Sequence, residues 1–244
     1  MDSDWRRHLR IVLLVMVACA AVRLGFIFYE RQQPGVGRAP QPPASTYRIT
    51  TDDYVTPRKV YAYDLATARS ELAGKTAWVR GGLRVPFFAV SATARHADTR
   101  RELGLLGPLE KLEVKDVVLQ EPPRGGARKQ VLAVFTKAGV PGEFAMLIGD
   151  EAEETYNFYV NDTLYIDDPH ELYKHWPPDI WNAVDHHEVK LGMNELQADS
   201  ALGAIVRAGA GDIGNRTLSY AYDGKPVTVT FSDNRVVNIV ATGN

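Results

Sequence analysis

The residues whose types could do chemistry are four histidines and the acids beside them. His170, His175, His186 and His187 stand near Asp167, Asp168, Asp185 and Glu188. Zinc pairs on a helix use positions i and i+4, which share a face. His170 and His175 are five apart, about 140° around a helix turning roughly 100° per residue. His186 and His187 are adjacent and diverge likewise. Asp168 and Glu171 already have capping positions at a helix start. The spacing therefore predicts surface and helix-end histidines, with no catalytic residue, metal or cofactor assigned. A hydrolase or metalloenzyme using these histidines stands as the alternative.

Other motifs carry less. No Gly-x-Ser-x-Gly elbow, phosphate loop or dinucleotide fingerprint is present. Gly74-Lys75-Thr76 resembles the end of a phosphate loop, but Arg69 occupies the position where that loop needs glycine. Arg124-Gly125-Gly126-Ala127-Arg128 reads as a solvated hairpin tip rather than an anion nest. The single cysteine, Cys19, lies in an apolar N-terminal run, which excludes disulfides and thiolate zinc sites from the body. A net charge of −2 without clustered Lys and Arg argues against nucleic acid as a partner.

Aromatic residues crowd one stretch: Tyr156, Phe158, Tyr159, Tyr165, Tyr173, Trp176 and Trp181. They suit either the packing of a domain junction or an exposed anchor, because large rings bring much apolar area at low entropic cost. Tyr173, Trp176 and Trp181 are the expected partner-binding residues if the second reading holds.

The elements that must position these groups start at the N-terminus. Residues 11–28 read IVLLVMVACAAVRLGFIF, after Arg6, Arg7 and Arg10. A charged start followed by an apolar run reads as a targeting or anchoring segment, with the arginines on the cytoplasmic side. Arg23, near the outer end, is expected to snorkel. The expectation is a single-pass membrane protein with a periplasmic body and residues 1–30 as anchor. Cleavage after Ala20, giving a secreted protein, and lipidation at Cys19 are the alternatives. Residues 31–46 hold four prolines and two glycines and read as a spacer.

Residues 47–150 read mainly as strands. Gly81-Gly82 suggests a hairpin within TAWVRGGLRVPFFAV. Residues 109–120, 129–136 and 143–149 supply further strands, and Asp98 caps an expected short helix over 99–103. A small β-barrel or strongly bent sheet follows from this pattern. Residues 151–187 form a helical connector, with Asp168 as N-cap, Pro169 at N1 and Pro177-Pro178 opening a second helix. Residues 188–244 are the last unit. Asn194 and Gln197 can close a capping box, Gly203 ends that helix, and Asp223-Gly224 and Ser232-Asp233-Asn234 turn the chain between alternating strands.

Within residues 188–241, Lys190-Leu191-Gly192-Met193-Asn194-Glu195-Leu196 is followed by Ala201-Leu202-Gly203. Then come Leu218-Ser219-Tyr220-Ala221-Tyr222, Val227-Thr228-Val229-Thr230-Phe231 and Asn234-Arg235-Val236-Val237-Asn238-Ile239. This pattern resembles the SmpA/OmlA family of small outer-membrane lipoproteins of the β-barrel assembly machinery. It is also similar to β-lactamase-inhibitor-like modules. Residues 167–193 are similar to uncharacterised bacterial envelope proteins. The resemblance implies a short helix, a three-stranded antiparallel sheet and a binding role.

Together these readings predict an α+β protein: membrane helix, small β-barrel or bent sheet, helical connector, and C-terminal helix plus three-stranded antiparallel sheet. The expected function is a membrane-tethered, non-enzymatic interaction or scaffolding module of the cell envelope. Its partners would be the membrane, through residues 11–28, and an envelope protein. A small-ligand-binding periplasmic module is a further alternative.

Overall fold

A computed structural model describes residues 3–32, 49–91, 96–222 and 225–241. The chain divides into two compact units, Met1–Ser45 and Thr46–Asn244. The first contains helix α1, Ser3–Gln32. Cys19 is exposed on it. The spacer lies almost wholly outside the described residues, as does the turn expected at Asp223-Gly224.

Among the described residues, no helix is long and apolar enough to cross a membrane. This corrects the transmembrane anchor and the single-pass, periplasmic arrangement expected from residues 11–28. The longest charge-free stretch of α1 is residues 11–22. At ~1.5 Å per residue it rises ~18 Å, well short of a ~30 Å hydrocarbon core. Arg23 ends that stretch, and snorkelling does not restore the missing length.

The second unit is mostly sheet. After a 3-10 turn at Thr51–Tyr54 comes α2, Leu65–Leu72. Asp64 starts α2 by accepting the Thr67 amide, and Arg69 ties it to Asp116 on the sheet. The large sheet is built from β1 (Thr76–Val79), β2 (Pro86–Val90), β3 (Ala97–Leu105), β4 (Lys111–Gln120), β5 (Lys129–Lys137) and β6 (Val140–Ala152). Two short strands complete it, β7 (Thr155–Phe158) and β8 (Leu164–Tyr165), with the one-turn helix α3 (Val160–Thr163) between them. All pairings are antiparallel, in the order β3-β2-β6-β5-β4-β1-β8, with β7 pairing with β6.

The sheet is open, which corrects the barrel. Closure would require the end strands to pair. One end, β8, is two residues long, and the other, β3, carries exposed Arg100, Arg101 and Glu102. Asp98 lies within β3, so the helix expected there is a strand. Gly81-Gly82 does not close a hairpin either: β1 and β2 are separated by β6, β5 and β4. At the centre, Val131–Phe135 of β5 are all buried, because that strand has neighbours on both edges and is covered on both faces. The main core packs Leu72, Val79, Leu112, Val117, Phe135, Met146 and Ile148, and a smaller cluster around Phe88 and Leu132 covers the opposite face.

Helices α4 (Pro169–Leu172), α5 (Pro178–Asp185) and α6 (Glu195–Leu202) precede a second sheet. That sheet has four strands, not three: β9 (Ile205–Ala208), β10 (Thr217–Tyr222), β11 (Lys225–Ser232) and β12 (Arg235–Ala241), in the order β12-β11-β10-β9. β9 is short and mostly exposed, so it lacks the alternation that marks its neighbours. The expected connector is also partly sheet, since β7 and β8 join the large one. The second unit is thus mostly sheet with few, short helices, which corrects the α+β expectation.

Candidate functional site

The candidate site is a cleft of about 770 Å³ at the head of the small sheet. Three parts of the chain build its walls. The α4–α5 turn supplies His175, Trp176, Pro177, Asp179 and Ile180; the approach to α6 supplies Leu191, Gly192, Asn194 and Gln197; and the β11–β12 turn supplies Asp233, Asn234 and Arg235. Local sequence sets each part. Pro178 at N1 opens α5. Asn194 caps α6 through the Gln197 amide, and the Gln197 side chain accepts the Asn194 amide in return. Asp233 and Asn234 have φ of 50° and 55°, the left-handed pair that a two-residue hairpin needs.

The floor is Asp52, from the 3-10 turn. Its carboxylate accepts from Trp176 Nε1 at 2.7 Å and from Asn194 Nδ2, and lies 2.5 Å from His175 Nε2. A buried carboxylate costs free energy unless donors surround it, and these three come from α6 and from both rings of the α4–α5 turn. Asp52 therefore holds together elements more than 120 residues away in sequence. Sequence reading missed it, since nothing local marks the Asp in TTDDY.

The expected anchor residues are placed as follows. Tyr173 and Trp176 are each 4% exposed, and Trp181 is half-buried. They form a ladder of rings: His170 stacks on Trp181 at 4.0 Å, Trp181 meets Trp176 at 4.8 Å, and Trp176 stacks on Tyr173 at 4.7 Å. Tyr165 follows edge-on at 6.1 Å, with the Arg80 guanidinium 4.4 Å above it. Burial raises the Tyr173 hydroxyl well above its ordinary range. Only the outer end of the ladder, at Trp181 and His170, reaches the surface, so its inner rings serve the cleft as scaffold.

The histidines do not converge. His170 lies between Asp168 and Asp185, His175 bonds Asp52, His186 bonds the Asn182 carbonyl and His187 bonds the Ala201 carbonyl. No group of three or more metal-ligating side chains occurs among the described residues. Asp168 caps α4 by accepting the His170 amide. Gly74-Lys75-Thr76 is the turn from α2 into β1, and Arg124–Arg128 is an exposed loop.

A second polar cluster lies under α6. Glu195 is 4% exposed and accepts the Gly214 amide at 2.8 Å and the Arg216 guanidinium through Nε and Nη2. One turn later, the Asp199 Oδ1 accepts from Tyr220 Oη at 2.6 Å. Asp199 keeps some exposed surface, and partial burial pushes its pKa up to about 7. The Tyr220 hydroxyl is also raised, first by burial and then by Asp199.

No family model matches the chain, and no curated protein or solved structure matches it.

Proposed function

We propose that the protein is a non-enzymatic interaction module that holds a partner polypeptide in the cleft at the head of its small sheet. The observation that carries this is the Asp52 clamp. It ties two of the walls together, the α4–α5 turn and the approach to α6, while the Glu195 amide of α6 donates to Asn234 Oδ1 in the third, and pre-organised walls lower the ordering cost of binding. The rim has the mixed character of a recognition surface: Leu191 is 68% exposed, and Asp179, Asp233 and Arg235 flank it. The lining includes Leu191, Gly192 and Asn194, from the segment that resembles SmpA/OmlA proteins. That resemblance implies a binding role, which is the reading taken here.

The test is a photoreactive amino acid at position 191 in cells that make the protein. A discrete crosslinked partner that disappears when Arg235→Glu is added supports the reading. No adduct from position 191, with adducts forming from a probe on the opposite sheet, refutes it. A second reading rests on His175 and Asp52: a buried carboxylate bonded to a cleft histidine is how a general base is oriented. His175→Gln keeps a donor for Asp52 and removes the base, so a hydrolase loses its turnover while a binding module keeps its crosslink.

A further inference from the structure

The cleft stands at one end of β12, and β12 ends the small sheet, with β11 as its neighbour on one side. The Phe231 amide donates to the Arg216 carbonyl, so Phe231 turns its backbone groups toward β10. Orientation alternates along a strand, so Val229 and Val227 do the same. Their partners in β12 are Val236, Ile239 and Ala241. These three therefore point their N–H and C=O groups away from the sheet. The chain itself fills the first of these positions. The Val236 amide donates to the Met193 carbonyl at 2.7 Å, and the Val236 carbonyl accepts the Gly192 amide at 2.9 Å. Ile239 and Ala241 lie further along the same edge, and among the described residues nothing bonds their outward groups.

Open sheet edges recruit other chains, and proteins blunt them with charge or brevity. β3 carries exposed Arg100, Arg101 and Glu102, while β7, β8 and β9 are four residues long or fewer. β12 has seven residues, and after Arg235 it runs Val236-Val237-Asn238-Ile239-Val240-Ala241 without a charge. A bulge interrupts its start, between the pairings of Phe231 and Thr230, and the register from Asn238 to Ala241 is regular. Val237 and Val240 are 52% and 48% exposed, so the side chains beside this edge are apolar. Alternating amide and carbonyl groups flanked by valines fit an extended polypeptide, whose backbone offers the complementary row.

We propose that the free edge of β12 receives the partner as an added strand, its backbone pairing with Ile239 and Ala241 and an apolar side chain resting on Val240. This rests on the reading of the cleft as the seat of a partner polypeptide, and it adds how that backbone is held. Arg235 lines the cleft and opens β12, and Gly192 of the cleft wall is bonded to Val236. A segment leaving the cleft past Gly192 comes beside the unfilled positions of the same edge. A second copy of this chain fits less well. Pairing through Ile239 and Ala241 alone is too short to bury the ~1,200 Å² of a stable interface. A segment already anchored in the cleft needs no more than this short pairing to fix its register.

The experiment is amide hydrogen exchange by NMR on the full chain, with and without an acetylated peptide of alternating Thr and Val. At a peptide concentration about ten times its Kd, exchange at Ile239 and Ala241 should slow about tenfold. Asn238 and Val240, which face β11, should change little. Ala241→Pro removes one outward donor where an edge strand tolerates proline, and should weaken the peptide about fivefold. Ala241→Ser keeps the donor and should bind as the wild type does. Protection along the whole of β12, protection at none of it, or a proline variant that binds undiminished overturns the proposal. Protection that rises with protein concentration in the absence of peptide assigns the edge to a second copy and also overturns it. The cleft reading is judged separately. Capture from position 191 in undiminished yield with Ala241→Pro leaves the cleft reading standing and removes the added strand, whereas no capture from position 191 removes the cleft reading itself.

Discussion

Two aspartates of this protein meet different numbers of donors. Asp52, under the cleft, has three donors, from His175, Trp176 and Asn194. Asp199, on α6, has Tyr220 as its donor, and Glu195 lies one turn away. With donors from two separate elements, the first acts as a fixed clamp. The second has one donor, and burial above all pushes its pKa up to about 7.

The comparison breaks most easily at the clamp. Trp176→Ala removes a 4%-exposed ring from the middle of the ladder and the Nε1 donor to Asp52. It should lower the unfolding free energy by about 4 kcal/mol in a denaturant titration. A loss below about 1 kcal/mol would show that the ladder does not support the clamp.

Where the loop after β1 meets α6, Gly81→Ala should cost about 3 kcal/mol, because its Cβ meets the Asp199 backbone rather than a movable side chain. Gly74→Ala is the control. Gly74, unlike Gly81, turns the chain at positive φ, and nothing lies within 4 Å of its Cβ position, so about 1 kcal/mol of backbone strain is expected. Equal losses by thermal unfolding would refute the close approach.

Asp52→Asn should cost about 2 kcal/mol, since one amide oxygen replaces two carboxylate oxygens facing three donors. The smallest effect belongs to Tyr220→Phe, about 1 kcal/mol for one lost hydrogen bond. Its value lies in the titration. Without the hydroxyl that lowers it, the Asp199 midpoint should move upward from about 7 in infrared spectra. A downward move would contradict the assigned donor.

The features legible in the sequence were local ones. Asn194 with Gln197, and Asp168 before Pro169, mark helix starts because capping partners lie within three residues. Gly81-Gly82 misled because glycine serves both tight turns and close backbone approach, and α6 lies 118 residues further on. The barrel failed for a related reason: strand pattern says little about whether the end strands meet, and here one end is short and the other charged. Tyr173 and Trp176 were found by composition, but a core ring and an exposed anchor have the same composition. Asp52 and Asp199 carried no signal at all, because their partners are contributed by tertiary structure.

The reach of the Asp52 clamp also sets a clock on synthesis. Its partner Asn194 is separated from it by 142 positions. At about 5–20 residues per second, a ribosome needs roughly 7–28 s to travel that far. Until residue 175 is made, the 3-10 turn at residues 51–54 has none of its three donors. β1 likewise waits for β8, whose Tyr165 pairs with Trp78. The first segment of the body to be translated is therefore among the last to be secured. A nascent chain stalled before residue 164 would present an uncovered sheet edge, and one stalled before residue 194 an unfinished floor, to whatever chaperones or proteases it meets.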